Sequence, residues 1–371
     1  MNILFYTVSN KRSRDIESQA IEFARVGHRI FLLTQSPRSE LHDIFEFKGF
    51  RAFDTNPSKG IFPLYLIGEI IKLVIFCYRH KITIVHSHLD PCNLVAVCSQ
   101  LLLRAKVIVN RHHADALMYE ASKKSQRISL WIYQRARYII VVSENVKSHM
   151  VNEEGIKAKN VTVIPLSFNF ELYDLPTEKE TQEIRKKYAT PLLLCTAGRF
   201  ISLKRIDLII HLVHRLNKIG INAGLIILGS GSEEENLKKL SIDLGIGGQI
   251  FFEGFTNHVL PYMAAADYYI HFSMTEASCT TVKEAGLTGT PVIVCENVGD
   301  FNKYISPQIN GFFVSKDRPI EDSLDLIVKT YLNKELLVKM GSHFKNTVLN
   351  YFDIKRVMPL YDELHQKTLK N

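Results

Sequence analysis

Runs of apolar, mostly β-branched residues, each about as long as a strand, recur along the chain with amphipathic stretches between them. NILFYTV, HRIFLLT, ITIVHSH, KVIVNRH, YIIVVS and VTVIPL follow one another between residues 2 and 166, with helical patterns such as Asp15 to Arg25 and Ser125 to Arg137 between several of them. Continuous apolar runs alternating with helices specify parallel strands buried on both faces. The rhythm breaks at ELYDLPTEKETQEIRKKY, residues 171–188, a polar and charged stretch with one proline. PLLLCTAG then restarts it, and GLIILGSG, QIFFEGF, YYIHFS, PVIVCEN and GFFVSK continue it. A chain of 371 residues exceeds one ordinary core. The pattern predicts an α/β domain over residues 1–170, a linker over 171–190 and a second α/β domain over 191–350. A closing helix over 351–371, with Pro359 inside it, is expected to cross back onto the first domain. Two such halves leave a crevice at the C-terminal ends of their strands, where folds of this class bind ligands.

Composition narrows the class. The longest apolar segment, IFPLYLIGEIIKLVIFCYRH at 61–80, carries Glu69 and Lys72 near its middle. Each would cost roughly 2.5–3.5 kcal/mol at a bilayer centre, so the segment reads as a core or interfacial helix. The opening MNILFYTVSNKR is too short in its apolar part for a signal sequence and reads as a first strand, so a cytoplasmic protein is expected. Six cysteines show neither a CxxC pair nor a zinc-ligand spacing, and reduced, mostly buried thiols with no metal site are the expectation.

The formal charge of +8 is unevenly spread. Residues 1–170 hold 23 Lys and Arg against 14 Asp and Glu, and residues 171–371 hold 23 against 24. The density peaks at 104–137, where Arg104, Lys106, Arg111, Lys123, Lys124, Arg127, Arg135 and Arg137 meet only Asp115 and Glu120. Such a patch suits a solvated basic face, anionic lipid headgroups at the inner face of a membrane, or a phosphorylated substrate. Nucleic acid is not expected, because no recognition module and no interleaved aromatics accompany it.

Three stretches carry chemistry. LLLCTAGRFISLKRIDLIIHLV places Gly198 and Arg199 just after a strand and Lys204 before an amphipathic helix. A glycine for close approach and two cations beside a helix N-terminus suit a diphosphate. IILGSGSEEENLKKL reads as a tight turn into a helix with Ser232 and Glu235 as a capping box, because three glutamates would repel an anion. MTEASCTTVKEAGLTGTPVIV holds Glu276 and Glu284 seven residues apart, with a helix expected to begin at Cys279 to Thr281. The backbone N–H groups there suit phosphate oxygens, and Glu284, a turn further on, suits a ribose diol. A glycosidase pair needs carboxylates roughly 5–9.5 Å apart. Eight helical positions span about 12 Å, which better suits two ends of one long ligand.

Together these residues resemble the retaining, nucleotide-sugar-dependent glycosyltransferases of family 4. The E-x7-E signature is met by Glu276 and Glu284, the GR…K element by Gly198, Arg199 and Lys204, and the strand end by IVHSH. VSENVKSHMV and VTVIPLSFNFELYD resemble the elements that close the family's first domain. The resemblance implies the GT-B fold, two facing Rossmann-like domains with parallel sheets, and no obligate cofactor, the nucleoside-diphosphate sugar being substrate. It implies that Arg199 and Lys204 bind the donor diphosphate together with Cys279, Thr280 and Thr281 at the helix start. Glu284 would bind the ribose and Glu276 the donor sugar, with His112, or alternatively His113, against the sugar from the first domain. The basic excess of the first half and its apolar segment at 61–80 suit, as acceptor, a glycan or lipid-linked glycan of an envelope polysaccharide (lipopolysaccharide, O-antigen or capsule), met at an acceptor or membrane patch of Lys123, Lys124 and Arg127. The chain departs from the family at its first loop, SNKRSRD, at Leu166-Ser167, and at Ala277-Ser278-Cys279. The altered first loop keeps open a donor-binding but catalytically silent partner subunit, and the GT-B fold itself keeps open a sugar-nucleotide 2-epimerase.

Overall fold

The computed structural model describes residues 1–9, 11–57, 62–113 and 122–370. Asn10 of the first loop, Ile61, Asp115 and Glu120 lie outside the described residues. The chain forms two compact units, residues 1–172 with 352–371, and residues 173–351.

The first unit alternates β1 (Asn2–Thr7), α1 (Arg14–Arg25), β2 (Arg29–Thr34), α2 (Glu40–Phe47), β3 (Arg51–Asp54), α3 (Phe62–Arg79), β4 (Ile84–His88), α4 (Asp90–Ser99), β5 (Lys106–Arg111), α5 (Lys123–Arg135), β6 (Ile139–Val141), α6 (Glu144–Asn152) and β7 (Val161–Val163). All seven strands run parallel in the order β3-β2-β1-β4-β5-β6-β7. The second unit runs α7 (Glu178–Lys187), β8 (Leu192–Ala197), α8 (Ile206–Lys218), β9 (Ala223–Leu228), α9 (Glu234–Asp243), β10 (Ile250–Gly254), α10 (Leu260–Ala265), β11 (Tyr268–His271), α11 (Thr280–Thr288), β12 (Val292–Cys295), α12 (Phe301–Tyr304), β13 (Phe312–Val314), α13 (Pro319–Thr330) and α14 (Lys334–Tyr351). Its six strands are also parallel, in the order β10-β9-β8-β11-β12-β13. Each unit is thus a Rossmann-like layer of parallel strands, with β8 and β9 buried along their whole length.

The last helix, α15 (Ile354–Lys370), belongs to the first unit. Phe168 N donates to Phe352 O at 2.8 Å and Ile354 N to Phe168 O at 3.0 Å, which hands the returning chain to the first sheet. Ile354, Val357, Met358, Tyr361 and Leu364 then join Phe5, Phe23, Ile84 and Ile108 in one apolar core. The polar stretch read as a linker holds α7, capped by a box in which Thr177 and Glu180 satisfy each other's backbone N–H.

Two local features depart from the pattern of the sequence. Helix α9 starts at Glu234 with Glu233 at its N-cap, not at Ser232. Residues 230–233 are committed elsewhere: Phe200 N donates to Ser230 O at 2.9 Å and Glu233 N to Phe200 O at 3.0 Å. Helix α3 is turned so that its one carboxylate faces inward. Glu69 is 1% exposed and takes Lys72 Nζ at 2.8 Å, while Phe62, Leu64, Ile67, Ile71 and Ile75 lie exposed on the outer side. Among the described residues no helix is long and apolar enough to cross a membrane.

Candidate functional site

In each sheet the strand order reverses beside the first strand, between β1 and β4 and between β8 and β11. The loops leaving the C-terminal ends at such a reversal splay apart and leave room for a ligand.

In the second unit Gly198 and Arg199 leave β8 at that point. Gly198 N donates to Leu228 O at 3.0 Å, and a Cβ on Gly229, whose φ is +131°, would sit 1.9 Å from Gly198 O. The turns after β8 and β9 therefore lie backbone against backbone, and Arg199 is presented exposed at the rim. The chain then makes a 3-10 turn, Ser202–Lys204, whose Leu203 O accepts from Met274 N at 2.9 Å and from Ser273 Oγ at 3.3 Å. Those bonds fasten the Lys204 segment to the loop after β11 and bring its ammonium onto Glu276 Oε1.

The same carboxylate oxygen accepts from His271 Nε2 at 2.7 Å. His271 in turn lies 3.6 Å from Cys279 Sγ, the N-cap of α11. Lys204, Glu276, His271 and Cys279 thus stand one against the next in a largely buried setting, with a cation on either side of the Glu276 carboxylate. Burial pushes the Glu276 carboxyl up, but His271 and Lys204 outweigh it and hold the group down at about 2. Burial likewise opposes a charge on His271, yet Cys279 and Glu276 raise it to about 9. Burial raises the Cys279 thiol, and the His271 imidazolium overrides it and brings the thiol below its ordinary value. Both cations use Oε1, and among the described residues no hydrogen bond reaches Glu276 Oε2, so that oxygen can accept another. The ligand-capable atoms of His271, Glu276 and Cys279 lie within 4.8 Å of one another, a spacing that would also hold a metal ion.

No side chain caps the start of α11. Its first-turn N–H groups have no intrahelical acceptor and suit an anion. Thr281 Oγ1 accepts from Tyr269 OH at 2.7 Å, so its backbone N–H, rather than its hydroxyl, is the donor open to an anion; Thr280 precedes it at the first helical position. Glu284 lies one turn on, 7% exposed. Beneath this helix Lys283, 1% exposed, reaches Asp300 Oδ2 at 3.7 Å and Ser278 Oγ, and Ser278 Oγ donates to Asp300 Oδ2 at 2.5 Å. Gly299, with φ of +57°, passes so close that a Cβ would be 2.9 Å from Glu276 Cβ.

Sequence reasoning missed His271, Lys283 and Asp300. Only YYIHFS hinted at the first, a histidine ending a strand just ahead of the glutamates. Gly198, Arg199, Lys204, Glu276, Cys279, Thr280, Thr281 and Glu284 all belong to the loops and helix that leave β8 and β11.

His112 belongs to the first unit, just after β5, and its Nε2 lies 2.9 Å from Nδ1 of His88 at the end of β4. Asp15, in the first turn of α1, is near enough to interact electrostatically with both rings. His113 Nε2 lies 3.9 Å from Asp90 Oδ1. Lys123, Lys124 and Arg127 are exposed on α5, but Arg111 leaves the basic patch: it is 2% exposed and grips Glu154 with Nη1 at 2.5 Å and Nη2 at 2.8 Å.

Residues 14–171 match the family model described as Glycosyltransferase Family 4, and residues 177–347 match the one described as Glycosyl transferases group 1. The chain belongs to the family 4 glycosyltransferases. An uncharacterized glycosyltransferase of Methanocaldococcus jannaschii is 22% identical over 73% of this chain and 71% of its own length. The Escherichia coli UDP-Gal:alpha-D-GlcNAc-diphosphoundecaprenol alpha-1,3-galactosyltransferase is 21% identical over 79% of this chain and 78% of its own. Among solved structures, Anabaena HepE in complex with UDP and glucose superposes with a TM-score of 0.84 at 17% identity, covering 99% of this chain and 100% of that one. The fold of this glycosyltransferase is the GT-B type, two Rossmann-like domains each built on a parallel sheet.

Proposed function

We propose that this glycosyltransferase transfers a sugar, with retention at the anomeric carbon, from a nucleoside-diphosphate sugar to a hydroxyl of a lipid-linked glycan in envelope polysaccharide assembly. The observation that carries the reading is the convergence of Lys204, Glu276 and the open start of α11 on the strand-order reversal of the second sheet. The ribose hydroxyls bind Glu284, and the diphosphate lies across the α11 N-terminus with Arg199 and Lys204. As the bond from C1 to the leaving oxygen breaks, negative charge grows on the diphosphate, where these donors are already fixed in place. Glu276 Oε2 accepts from a sugar hydroxyl, and the His271 and Lys204 cations keep that carboxylate ionised and oriented. The acceptor hydroxyl attacks C1 from the leaving-group side, and its proton passes to a phosphate oxygen. His112 serves the donor sugar, as the family resemblance assigns it.

A lipid-linked acceptor is supported by the outward apolar side of α3 and by exposed Lys123, Lys124 and Arg127 on α5, with α4 packed against both helices. Apolar residues bordered by cations suit the interface of an anionic membrane, where this protein would sit as a peripheral enzyme on the cytoplasmic side. The E. coli galactosyltransferase, whose name gives a diphosphoundecaprenol acceptor, supports the same class of substrate.

A thermal-shift panel of UDP- and GDP-sugars on wild type and Glu284→Ala tests the donor site. A ligand at about 100 times its Kd stabilises the native state by roughly 2.7 kcal/mol. One sugar nucleotide that shifts wild type and not the variant names the donor. No shift by any of them sinks the reading. Binding without turnover would point to the silent subunit.

A further inference from the structure

At the opposite edge of the first sheet, His28 closes the turn between α1 and β2, its N–H donating to Phe23 O at 3.0 Å. Asp362 and His365 lie three residues apart on α15, a spacing that brings side chains to one helix face. One ligand-capable atom from each of the three residues lies within 4.8 Å of the other two. His365 is 1% exposed, and its Nε2 lies 2.8 Å from Nε2 of His86 on β4. Its Nδ1 is buried without a hydrogen-bond partner among the described residues. A buried ring nitrogen with nothing to bind is costly, and beside His86 Nδ1 and His88 Nε2, which share that state among the described residues, the one on His365 belongs to a ring grouped with a second imidazole and a carboxylate.

We infer that His28, Asp362 and His365 form a site for one divalent transition-metal ion of the zinc class. Two imidazoles and a carboxylate are the donor set such ions prefer, with a fourth position left to water. The His86 contact supplies what a metal-binding histidine ordinarily has, a partner for its second nitrogen. With Nε2–H of His365 donated to His86 Nε2, the lone pair on Nδ1 is the one left for the ion. This assignment fixes the tautomer of His365 and removes its unpaired atom. The ion would clamp α15 to the start of β2, at the N-terminal end of that strand. No spacing in the sequence reveals it, because His28 is separated from its partners by nearly the whole chain.

The experiment is titration of Co2+, read by its visible absorption, and of Zn2+, read by calorimetry and Tm, into EDTA-dialysed full-length protein. Expected are one equivalent bound, a tetrahedral Co2+ spectrum and a Tm that rises until one equivalent is added. His28→Gln and Asp362→Asn both lie outside the core and should fold. Each should weaken binding by about tenfold or more, since even outer-shell partners are worth ~10–100-fold. Cys279→Ser should leave binding unchanged. Absence of a Co2+ spectrum and of a Tm rise overturns the site. So does a stoichiometric ion lost in Cys279→Ser and retained in His28→Gln, which would place it on His271, Glu276 and Cys279 instead.

Discussion

At the C-terminal edge of the first sheet His88 and His112 stack with ring centroids 5.2 Å apart, and burial holds both below the ordinary imidazole value. At the same edge of the second sheet His271 is just as buried and yet is held protonated, because Glu276 and Cys279 flank it. The two edges share their topology and their residue type and differ in what stands beside the ring. Net charge does not decide the matter, since the half with the excess of Lys and Arg carries the neutral histidines. Burial removes a charge unless a partner within hydrogen-bond reach restores it. A carboxylate held between two cations is a preorganised field, whereas a pair of neutral rings carries no fixed charge.

Removing Glu276 should break the contrast most completely. Glu276→Ala leaves Lys204 and His271 buried without their shared anion, and taking one member from a buried pair costs about 3–5 kcal/mol. Denaturant unfolding should show that loss, with Glu276→Gln losing less, and a stability equal to wild type would refute the electrostatic role.

Next in size is an opposite response of the two units to pH. His88, buried first of all and also beside His112, has its folded value down at about 3 against about 6.5 unfolded. The unfolded chain then binds more protons below about 6.5, so its contribution is full above that pH and lost as pH falls towards 3. His271 reverses the sign: its contribution is full below about 6.5 and lost as pH rises through about 9. Glu276 contributes in full above about 4.5 and loses that contribution as pH falls towards about 2, below the range in which His88 begins to respond. Hydrogen exchange should therefore loosen β4 and β5 first in acid, and β11 and α11 first in alkali. Loosening of the same unit at both extremes would contradict the assignment.

A smaller loss is expected for Gly299→Ala, about 1–3 kcal/mol, because the added methyl meets Glu276 Cβ in a left-handed backbone conformation. If the loop instead adjusts freely, donor binding and Tm will match wild type. At the bottom of the scale, Lys355→Ala breaks an exposed pair with Glu171 at 2.7 Å and should leave Tm unmoved.

The parallel sheets were legible because buried strands write themselves as unbroken apolar runs, as LLLCTA does. The two glutamates were legible because their chemistry is local, one signature within a few turns. His271, Lys283 and Asp300 were not, since each acts through a partner that only the fold supplies, and one histidine at a strand end is common. Ser232 misled because a capping pattern assumes that a turn has nothing else to hold, while here the turn is bound to Phe200. Which face of α3 would be buried was not legible at all, since a carboxylate inside an apolar run turns to the core here only because Lys72 lies within reach of it.

The first unit is built from two separated lengths of chain, and its core needs Ile354, Val357, Tyr361 and Leu364 from α15. On a ribosome the second unit, contiguous in sequence, is complete before those residues emerge, so the unit that is synthesised first is finished last. Until then Phe5 and Phe23 lie open, and a chaperone or a hydrophobic partner has its longest access to the half of the protein that was made earliest.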